Sequence, residues 1–386
     1  MKAFHVVQNI PTPYRLHLFD ELYRQLAEMG IEFHVHFMSD MSKGCTGRPV
    51  SWRNPKIDFP HTYWRDHGIS HHYFNPGLIR YLRKTHPDFL LIGSPFDTFT
   101  SIFIAWLCPA GVRCTWSEGN TKTPGVMTGF KGWFKRLVFS KYGYIAVPGN
   151  DAVKYVALHQ TYTKRMMPKP IMLPNLIDEK RFKPRDKWNQ DEINAIRSSL
   201  GVECCEHLAI TPARLVPCKG LVEYLSLLTP EILMGWRIAI FGQGPLKEDI
   251  LRIAHERGIG DQLIIKDFVP YAEMPKYYAS ADLFVLPSCR DQNPLSVVEA
   301  LHSGLPIALS EKAGNVDEAV SEGRNGWVLP VKKADLYSQK IQEIFSTDRL
   351  RLQKMGKCSA EENAQFWNTE KSIKRFLIGL GVKSVK

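Results

Sequence analysis

Apolar positions along the chain fall into short β-branched runs, separated by stretches whose apolar residues recur three and four apart. In the first half, the runs Ala3–Val7, Glu32–Phe37, Asp88–Ile92, Val112–Trp116, Tyr144–Val147 and Ile171–Leu173 predict strands. Between them, Arg15–Glu28, Leu78–Thr85, Thr98–Leu107, Trp133–Tyr142 and Asp151–Leu158 predict helices. The pattern then restarts. His207–Thr211, Arg237–Phe241, Leu263–Lys266, Leu283–Leu286 and Pro306–Leu309 read as strands. Leu221–Leu228, Pro245–Arg257, Ala272–Ala279, Pro294–Ser303 and Ala334–Ser346 read as helices. Near-continuous apolar strands alternating with helices form parallel sheets covered on both faces. The expected fold is α/β, with two doubly wound Rossmann-like domains facing a central cleft. Ligands in such sheets bind beyond the carboxyl ends of the strands. The expected division is an N-terminal domain over 1–180, a C-terminal domain over 181–365 and a terminal helix over 366–386 that can pack back on the first domain. The polar stretch between Pro174 and Gly201 marks the boundary.

Composition narrows the class. With 386 residues, 44% of them hydrophobic and 23% charged, the chain is neither disordered nor a disulfide scaffold. No apolar run approaches the ~20 residues of a membrane helix. The eight cysteines are scattered without a C-x-x-C pair, which predicts reduced thiols and a cytoplasmic setting. The N-terminal MKAFHVVQN reads as a strand rather than as a secretory signal. The net charge of +11 is uneven: residues 1–180 carry 22 Lys and Arg against 13 Asp and Glu, the remainder 28 against 26. A basic half can face nucleic acid, an anionic membrane or a phosphorylated substrate, or can simply be solvated.

Chemistry concentrates between Leu286 and Glu318. A strand ends at Leu286, and Asn293 stands before Pro294. Asn is a favoured N-cap and Pro a favoured first helical residue. The amides of Leu295, Ser296 and Val297 would then lack intrahelical partners and could meet a phosphate. Asp291 and Glu299 flank this start, eight positions apart, and can accept hydrogen bonds from sugar hydroxyls; two solvated acids are the alternative. In TPARLVPCKGL, residues 211–221, Arg214 and Lys219 follow a strand and suit a diphosphate, the Arg as a fork and the Lys as a point charge. In FGQGPLKEDI, Gly242 and Gly244 resemble a dinucleotide turn, but Lys247 stands where the third glycine belongs, which disfavours hydride transfer.

Several signals are missing or weak. There is no D-x-D, zinc-spaced cysteine set, Walker loop or G-x-S-x-G. His34 and His36, and His71 and His72, are only loosely spaced for a metal. In the first loop, Pro11 and Pro13 stiffen the chain and Arg15 can hold an anionic acceptor. Glu118 follows a strand at its carboxyl end and is a candidate acid or base. Lys131, Lys135, Arg136 and Lys141 interleave with Trp133, Phe134, Leu137 and Phe139. Such a helix either lies on an anionic membrane or covers a core with its lysines solvated.

The order of these motifs resembles the family 4 nucleotide-sugar glycosyltransferases of the GT-B fold, strongly from about Leu173 to Val328 and weakly before it. LPNLIDEKRF (173–182) is similar to that family's interdomain segment. ARLVPCKGL matches its donor-phosphate loop, with Ala213 in place of Gly. FGQGPL matches its G-x-G-P turn and YYASADLFVLPS the stretch before its acidic motif. Asp291 and Glu299 occupy the acidic positions of its E-x7-E motif. AGNVDEAV and EGRNGWVL match its G-G-x-x-E and D-G-x-N-G stretches. The resemblance implies that Arg214 and Lys219 hold the donor diphosphate, Glu299 the ribose and Asp291 the transferred sugar. It implies that the amides of Leu295 and Ser296 meet the phosphates and that Phe268–Val269 frames the base. It also implies retention of anomeric configuration without a metal. The departing phosphate could itself take the acceptor proton. Departures are Asp291 for the usual Glu, Gln292–Asn293–Pro294 for Gly-Phe-Gly, and Ile10–Pro11–Thr12–Pro13 for a glycine-rich first loop. No histidine matches the family's N-domain catalytic site; Glu118 lies in roughly that region.

The resulting expectation is a retaining glycosyltransferase. It would move a sugar from a nucleotide donor, a UDP-sugar such as UDP-glucose, to a glycan or lipid-linked acceptor in surface polysaccharide synthesis. It would be cytoplasmic or peripheral on the inner face of the cell membrane, with no cofactor and no metal. A UDP-sugar isomerase or hydrolase of the same fold, and a non-catalytic protein that binds anionic surfaces, are the alternatives. Nucleic acid is the less expected partner, because it leaves the paired sites at Arg214/Lys219 and Asn293/Glu299 without a role.

Overall fold

The computed structural model describes residues 2–40, 56–68, 72–93, 95–123, 128–267 and 269–384. It divides into two compact units, one built from Met1–Ile177 with Thr369–Lys386, the other from Asp178–Asn368.

The first unit holds β1 (Ala3–Gln8), β2 (Glu32–Phe37), β3 (His61–Tyr63), β4 (Phe89–Ile92), β5 (Val112–Trp116), β6 (Tyr144–Val147) and β7 (Lys169–Met172). They form a parallel sheet in the order β3-β2-β1-β4-β5-β6-β7. The order reverses between β1 and β4. The short edge strand β3 has no counterpart in the sequence pattern; three half-exposed residues leave no apolar run to read. The helix Thr369–Gly379 completes this unit. It turns Ile373, Phe376 and Leu377 inward and packs on the helix Pro13–Glu28 and on β7. Gln25 Nε2 donates to the carbonyl of Glu370 at 3.0 Å. The expected terminal helix begins at Phe366; Asn363–Trp367 instead forms a separate 3-10 turn that belongs to the second unit.

Inside the first sheet, His36 is buried and bonded on both ring nitrogens. Trp64 Nε1–H donates to His36 Nδ1 at 3.1 Å, so the His36 proton sits on Nε2 and points at His5 Nδ1, 2.8 Å away. His34 Nε2 meets Thr62 Oγ1 at 2.9 Å. The His34-x-His36 spacing thus serves packing. His72 touches the carbonyl of Asp97, and His71 lies outside the described residues. Burial pushes His36 down to about 2 and His5 down to about 4, each lowered further by its histidine neighbours.

The second unit holds β8 (His207–Pro212), β9 (Trp236–Phe241), β10 (Leu263–Lys266), β11 (Leu283–Leu286), β12 (Ile307–Ser310) and β13 (Gly326–Leu329). All are parallel, in the order β10-β9-β8-β11-β12-β13. Its core holds large aromatic side chains. Trp327 and Tyr224 are fully buried, and Trp236 Nε1 donates to the carbonyl of Phe345 at 2.9 Å. The helix Gln190–Ser199 lies in the stretch read as a polar boundary. It buries only Ile193, and its hold is polar instead: Asn189 caps it, and Arg197 bonds Asp282 at 3.0 Å. A cavity of about 800 Å³ opens at the amino ends of β8, β11 and β12. Arg185 in its wall is spent on Asp282 at 2.9 Å.

Candidate functional site

In the second unit the strand order reverses between β8 and β11, where a parallel sheet leaves a crevice beyond its carboxyl ends. The loops leaving these two strands carry Arg214, Lys219, Asp291 and the helix start at Leu295. They touch directly. The Arg290 N–H donates to the carbonyl of Cys218 at 3.2 Å. Gly220 sits at φ 64°, and a Cβ there would lie 2.4 Å from the carbonyl oxygen of Pro287. Only glycine permits both the left-handed turn and the approach.

Lys219 Nζ forms an ion pair with Asp291 Oδ2, both side chains about five-sixths covered at 16% and 15% exposure. Two residues assigned to different parts of a donor are therefore joined to each other. Asp291 is also strapped by its backbone: its N–H reaches the carbonyl of Lys312, and its carbonyl accepts from Gly314 at 3.0 Å. Arg214 is exposed at the end of β8 and pairs with no carboxylate among the described residues. The segment carrying it is held by its main chain. The amides of Ala213 and Leu215 bond the carbonyls of Phe241 and Gln243, both at 3.0 Å. Gly242 has φ 157°, and a Cβ on it would come within 2.1 Å of the Ala213 carbonyl oxygen. The G-x-G turn is thus a buttress for the Arg214 loop.

The expected cap moves by one residue. The helix is Leu295–His302, and Pro294, at φ −67° and ψ 118°, occupies the N-cap position with no side-chain cap. Asn293 is not the cap, because Pro294 is itself extended rather than helical and takes that place, and the Asn293 side chain turns inward. Asn293 is 9% exposed with Oδ1 unpartnered. The carbonyl of Pro294 accepts from Asn315 Nδ2 at 3.1 Å. The amides of Leu295, Ser296 and Val297 are still the first three of the helix and need partners from outside it.

Glu299 lies one turn further in and accepts a 2.7 Å hydrogen bond from Tyr278 Oη. Burial pushes its carboxyl up to about 7, against the Tyr278 bond and the Arg181 charge, which pull it down. Arg181 stacks over Tyr271, 4.9 Å from the ring centre. Sequence spacing does not single out Tyr278, Tyr271 and Arg181, although all three lie in or beside stretches that resemble the family. Val269 is buried at 8% exposure, and Phe268 lies outside the described residues.

The first unit has its own charged cluster at the carboxyl ends of its strands. Arg15 Nη2 pairs with Glu118 Oε1 at 2.7 Å, and Asn175 Nδ2 donates to the same oxygen at 3.1 Å. The guanidinium lies 3.5 Å over the Trp116 ring. Arg15 is 6% exposed, yet its Nε and Nη1 have no partner. The sequence makes Arg15 an acceptor clamp and Glu118 an acid or base; the fold bonds them to each other. The Lys131–Lys141 helix, Gly129–Phe139, is less basic outside than expected. Lys135 and Arg136 are buried, Lys135 Nζ reaching Tyr155 Oη at 2.7 Å among Phe96, Phe139 and Tyr155. Trp133 and Phe130 are instead exposed, at 49% and 77%.

Residues 193–361 match the family model described as glycosyl transferases group 1. The chain is 30% identical over 206 residues to a GDP-mannose-dependent alpha-(1-6)-phosphatidylinositol monomannoside mannosyltransferase of Mycobacterium tuberculosis, covering 50% of this chain and 51% of that one. It is 24% identical over 317 residues to a D-inositol 3-phosphate glycosyltransferase of Segniliparus rotundus, covering 79% and 64%. The chain spans about half the length of the first curated relatives it matches. In fold it is similar to Anabaena Alr3699/HepE, solved with UDP-glucose, with a TM-score of 0.72 at 13% identity over 99% of this chain and 100% of that one.

Proposed function

Because residues 193–361 match the family model described as glycosyl transferases group 1, we propose that this chain transfers a sugar from a nucleoside-diphosphate donor to a glycan or lipid-linked acceptor, with retention of configuration. The observation that carries the reading is the meeting, at one switch point, of Arg214, Lys219 and the unpartnered amides of Leu295 and Ser296. Departure of a nucleoside diphosphate builds negative charge on its phosphates. Two cations and a helix start placed before the reaction stabilise that charge without reorganising. The donor's phosphates would draw Lys219 from Asp291. The freed Asp291 carboxylate would then accept from a sugar hydroxyl, and Glu299 from the ribose.

Positive charge supplied by side chains and amides leaves no task for a divalent ion at the diphosphate, so transfer is expected to persist in excess chelator. Loss of activity with chelator and return with magnesium or manganese would reassign Asp291 and Glu299 as ligands. We place the acceptor on the first unit, beside Arg15 with its two unused nitrogens. Exposed Phe130, Trp133 and Trp106, with Lys131 and Lys141, support a peripheral contact with an anionic membrane surface. A role in surface polysaccharide synthesis would suit such an acceptor.

UDP is the nucleotide of the first reading. GDP-mannose is a second, favoured by the 30% identity over 206 residues to a GDP-mannose-dependent enzyme. Calorimetry with UDP and GDP on the native chain and on Lys219→Ala tests both. The native protein should bind one of them, and the variant should lose roughly 1.5–3 kcal/mol of that affinity. Equal affinity in a folded variant would remove Lys219 from the site, and binding of neither nucleotide would remove the reading.

A further inference from the structure

Cys218 and Cys289 lie in the two loops that meet at the switch point, one residue before Lys219 and two before Asp291. Both are free thiols; Cys289 is exposed and Cys218 partly so. The Arg290 N–H bond to the Cys218 carbonyl, at 3.2 Å, joins the peptide following one cysteine to the carbonyl of the other. With standard peptide dimensions, that single bond puts the two Cα atoms roughly 5–7 Å apart. A disulfide spans Cα separations of roughly 4.4–6.8 Å. The Cys289 side chain faces the correct way: a Cβ placed on Gly220 would lie 3.1 Å from Cys289 Sγ, so the sulfur is turned toward the 218–220 turn. None of the other described cysteines has a comparable partner across two loops; Cys204 and Cys205 are adjacent in sequence.

We propose that Cys218 and Cys289 form an oxidation site that closes to a disulfide across the two loops and holds the donor site in its ligand-free arrangement. With hydrogen peroxide as oxidant, the exposed Cys289 sulfur attacks one peroxide oxygen and becomes a sulfenic acid, releasing water. The Cys218 sulfur then attacks the sulfenyl sulfur and expels the second water. Two thiols lose two hydrogens and two electrons, and peroxide becomes two waters. The new bond ties the loops at the spacing at which Lys219 pairs with Asp291. A donor's phosphates, which need Lys219 free of that partner, would then bind less well. This last step rests on the proposed donor site; the bond itself does not.

Burial and the nearby Glu223 and Cys218 hold the Cys289 thiol above its usual range, so little thiolate forms near neutrality and closure should quicken only as the medium turns alkaline beyond that range. The test treats the full chain with hydrogen peroxide, caps remaining thiols with iodoacetamide and maps peptides without reduction. The expected result is one linked pair joining Cys218 and Cys289, two hydrogens lighter than the free peptides and lost after dithiothreitol. Affinity for whichever of UDP and GDP the reduced protein binds should fall about tenfold and recover on reduction, as for a site held in its non-binding state. Cys218→Ser and Cys289→Ser should each bind that nucleotide like the reduced native protein and be indifferent to peroxide. Capped Cys218 and Cys289 beside oxidised Cys204, Cys205 or Cys358 would overturn the proposal. So would a linked pair with unchanged affinity. If the reduced protein binds neither nucleotide, the glycosyltransferase reading fails, while the peptide map still decides the bond.

Discussion

Each unit places one cation–carboxylate pair at the carboxyl ends of its strands, and the two pairs are built differently. In the second unit a lysine meets Asp291 in a loop fixed by main-chain bonds, with Arg214 exposed beside it. In the first, Arg15 is pressed against Trp116, bonded to Glu118 and almost wholly covered. A lysine is a compact point charge that can exchange one partner for another. A stacked arginine fork is part of the packing, and its partner cannot leave without exposing a hole. The lysine pair suits a ligand that displaces a side chain; the arginine pair suits a ligand that adds to one, on Nε and Nη1.

The comparison breaks most sharply on stability. Arg15→Ala should cost about 2–3 kcal/mol, the low end for breaking a buried pair because Glu118 keeps 32% of its side-chain surface. Lys219→Ala should cost less, about 1–2 kcal/mol, because Asp291 at 15% exposure loses its cation but no aromatic packing is lost with it. Urea unfolding of both variants measures this, and equal losses would erase the distinction.

Glu299 and His5 should also respond to pH in opposite directions. Glu299 titrates near 7 in the fold against 4.5 ordinarily. Its contribution is complete below pH 4.5 and is lost as pH rises through 7. His5 titrates near 4 against 6.5, so its contribution is complete above pH 6.5 and is lost as pH falls through 4. Each effect should amount to about 2 kcal/mol after allowance for partial solvation. Glu299→Gln should flatten the alkaline arm and His5→Asn the acidic arm of unfolding free energy against pH. Asp20, pushed up to about 6 by burial and Asp58, works against His5 in the first unit, so difference curves against the native protein are the proper measure. A variant that leaves its arm unchanged would dismiss its residue as the cause.

A finer separation lies within the second unit. Asp291→Asn should lower turnover about tenfold, at the low end for losing a charged contact to substrate, and leave nucleotide affinity near native. Glu299→Ala should weaken the nucleotide itself. Equal loss of affinity in both would merge the two roles. The smallest expected effect concerns the first unit's surface. Vesicle co-sedimentation should rise with anionic lipid and fall with salt, by about 1 kcal/mol per basic residue near the surface. With Lys135 and Arg136 buried, only Lys131 and Lys141 of that set contribute. Absence of binding at low salt would leave the exposed Phe130 and Trp133 without this explanation.

The two halves are not equally legible. β11, LFVL, is readable to the residue, because a strand buried at every position leaves no polar residue to confuse its ends. β3 and the helix Gln190–Ser199 are not readable, since neither depends on an apolar stripe. In the second unit the candidate residues Arg214, Lys219, Asp291 and Glu299 fall within two short stretches, the loop after β8 and the loop and helix after β11, where spacing and the family resemblance can be read together. The environment that tunes Glu299 is assembled from Tyr278, Tyr271 and Arg181, up to 118 positions away, and no local pattern encodes it. The same holds for Arg15 and Glu118, which are 103 positions apart. Spacing also misplaces the helix cap by one residue, because Pro294 is extended rather than helical and the helix begins only at Leu295.

The helix Thr369–Gly379 closes the first unit but is encoded after the whole of the second. A ribosome therefore delivers every residue of the second unit before the seat on the helix Pro13–Glu28 and β7 can be filled. The part of the chain that emerges first is the part that finishes last, and it waits with an apolar groove open to whatever binds nascent chains. Its folding is thus timed by the synthesis of its neighbour. A fragment ending at Asn368 should yield an intact second unit joined to a first unit that recruits chaperones or aggregates.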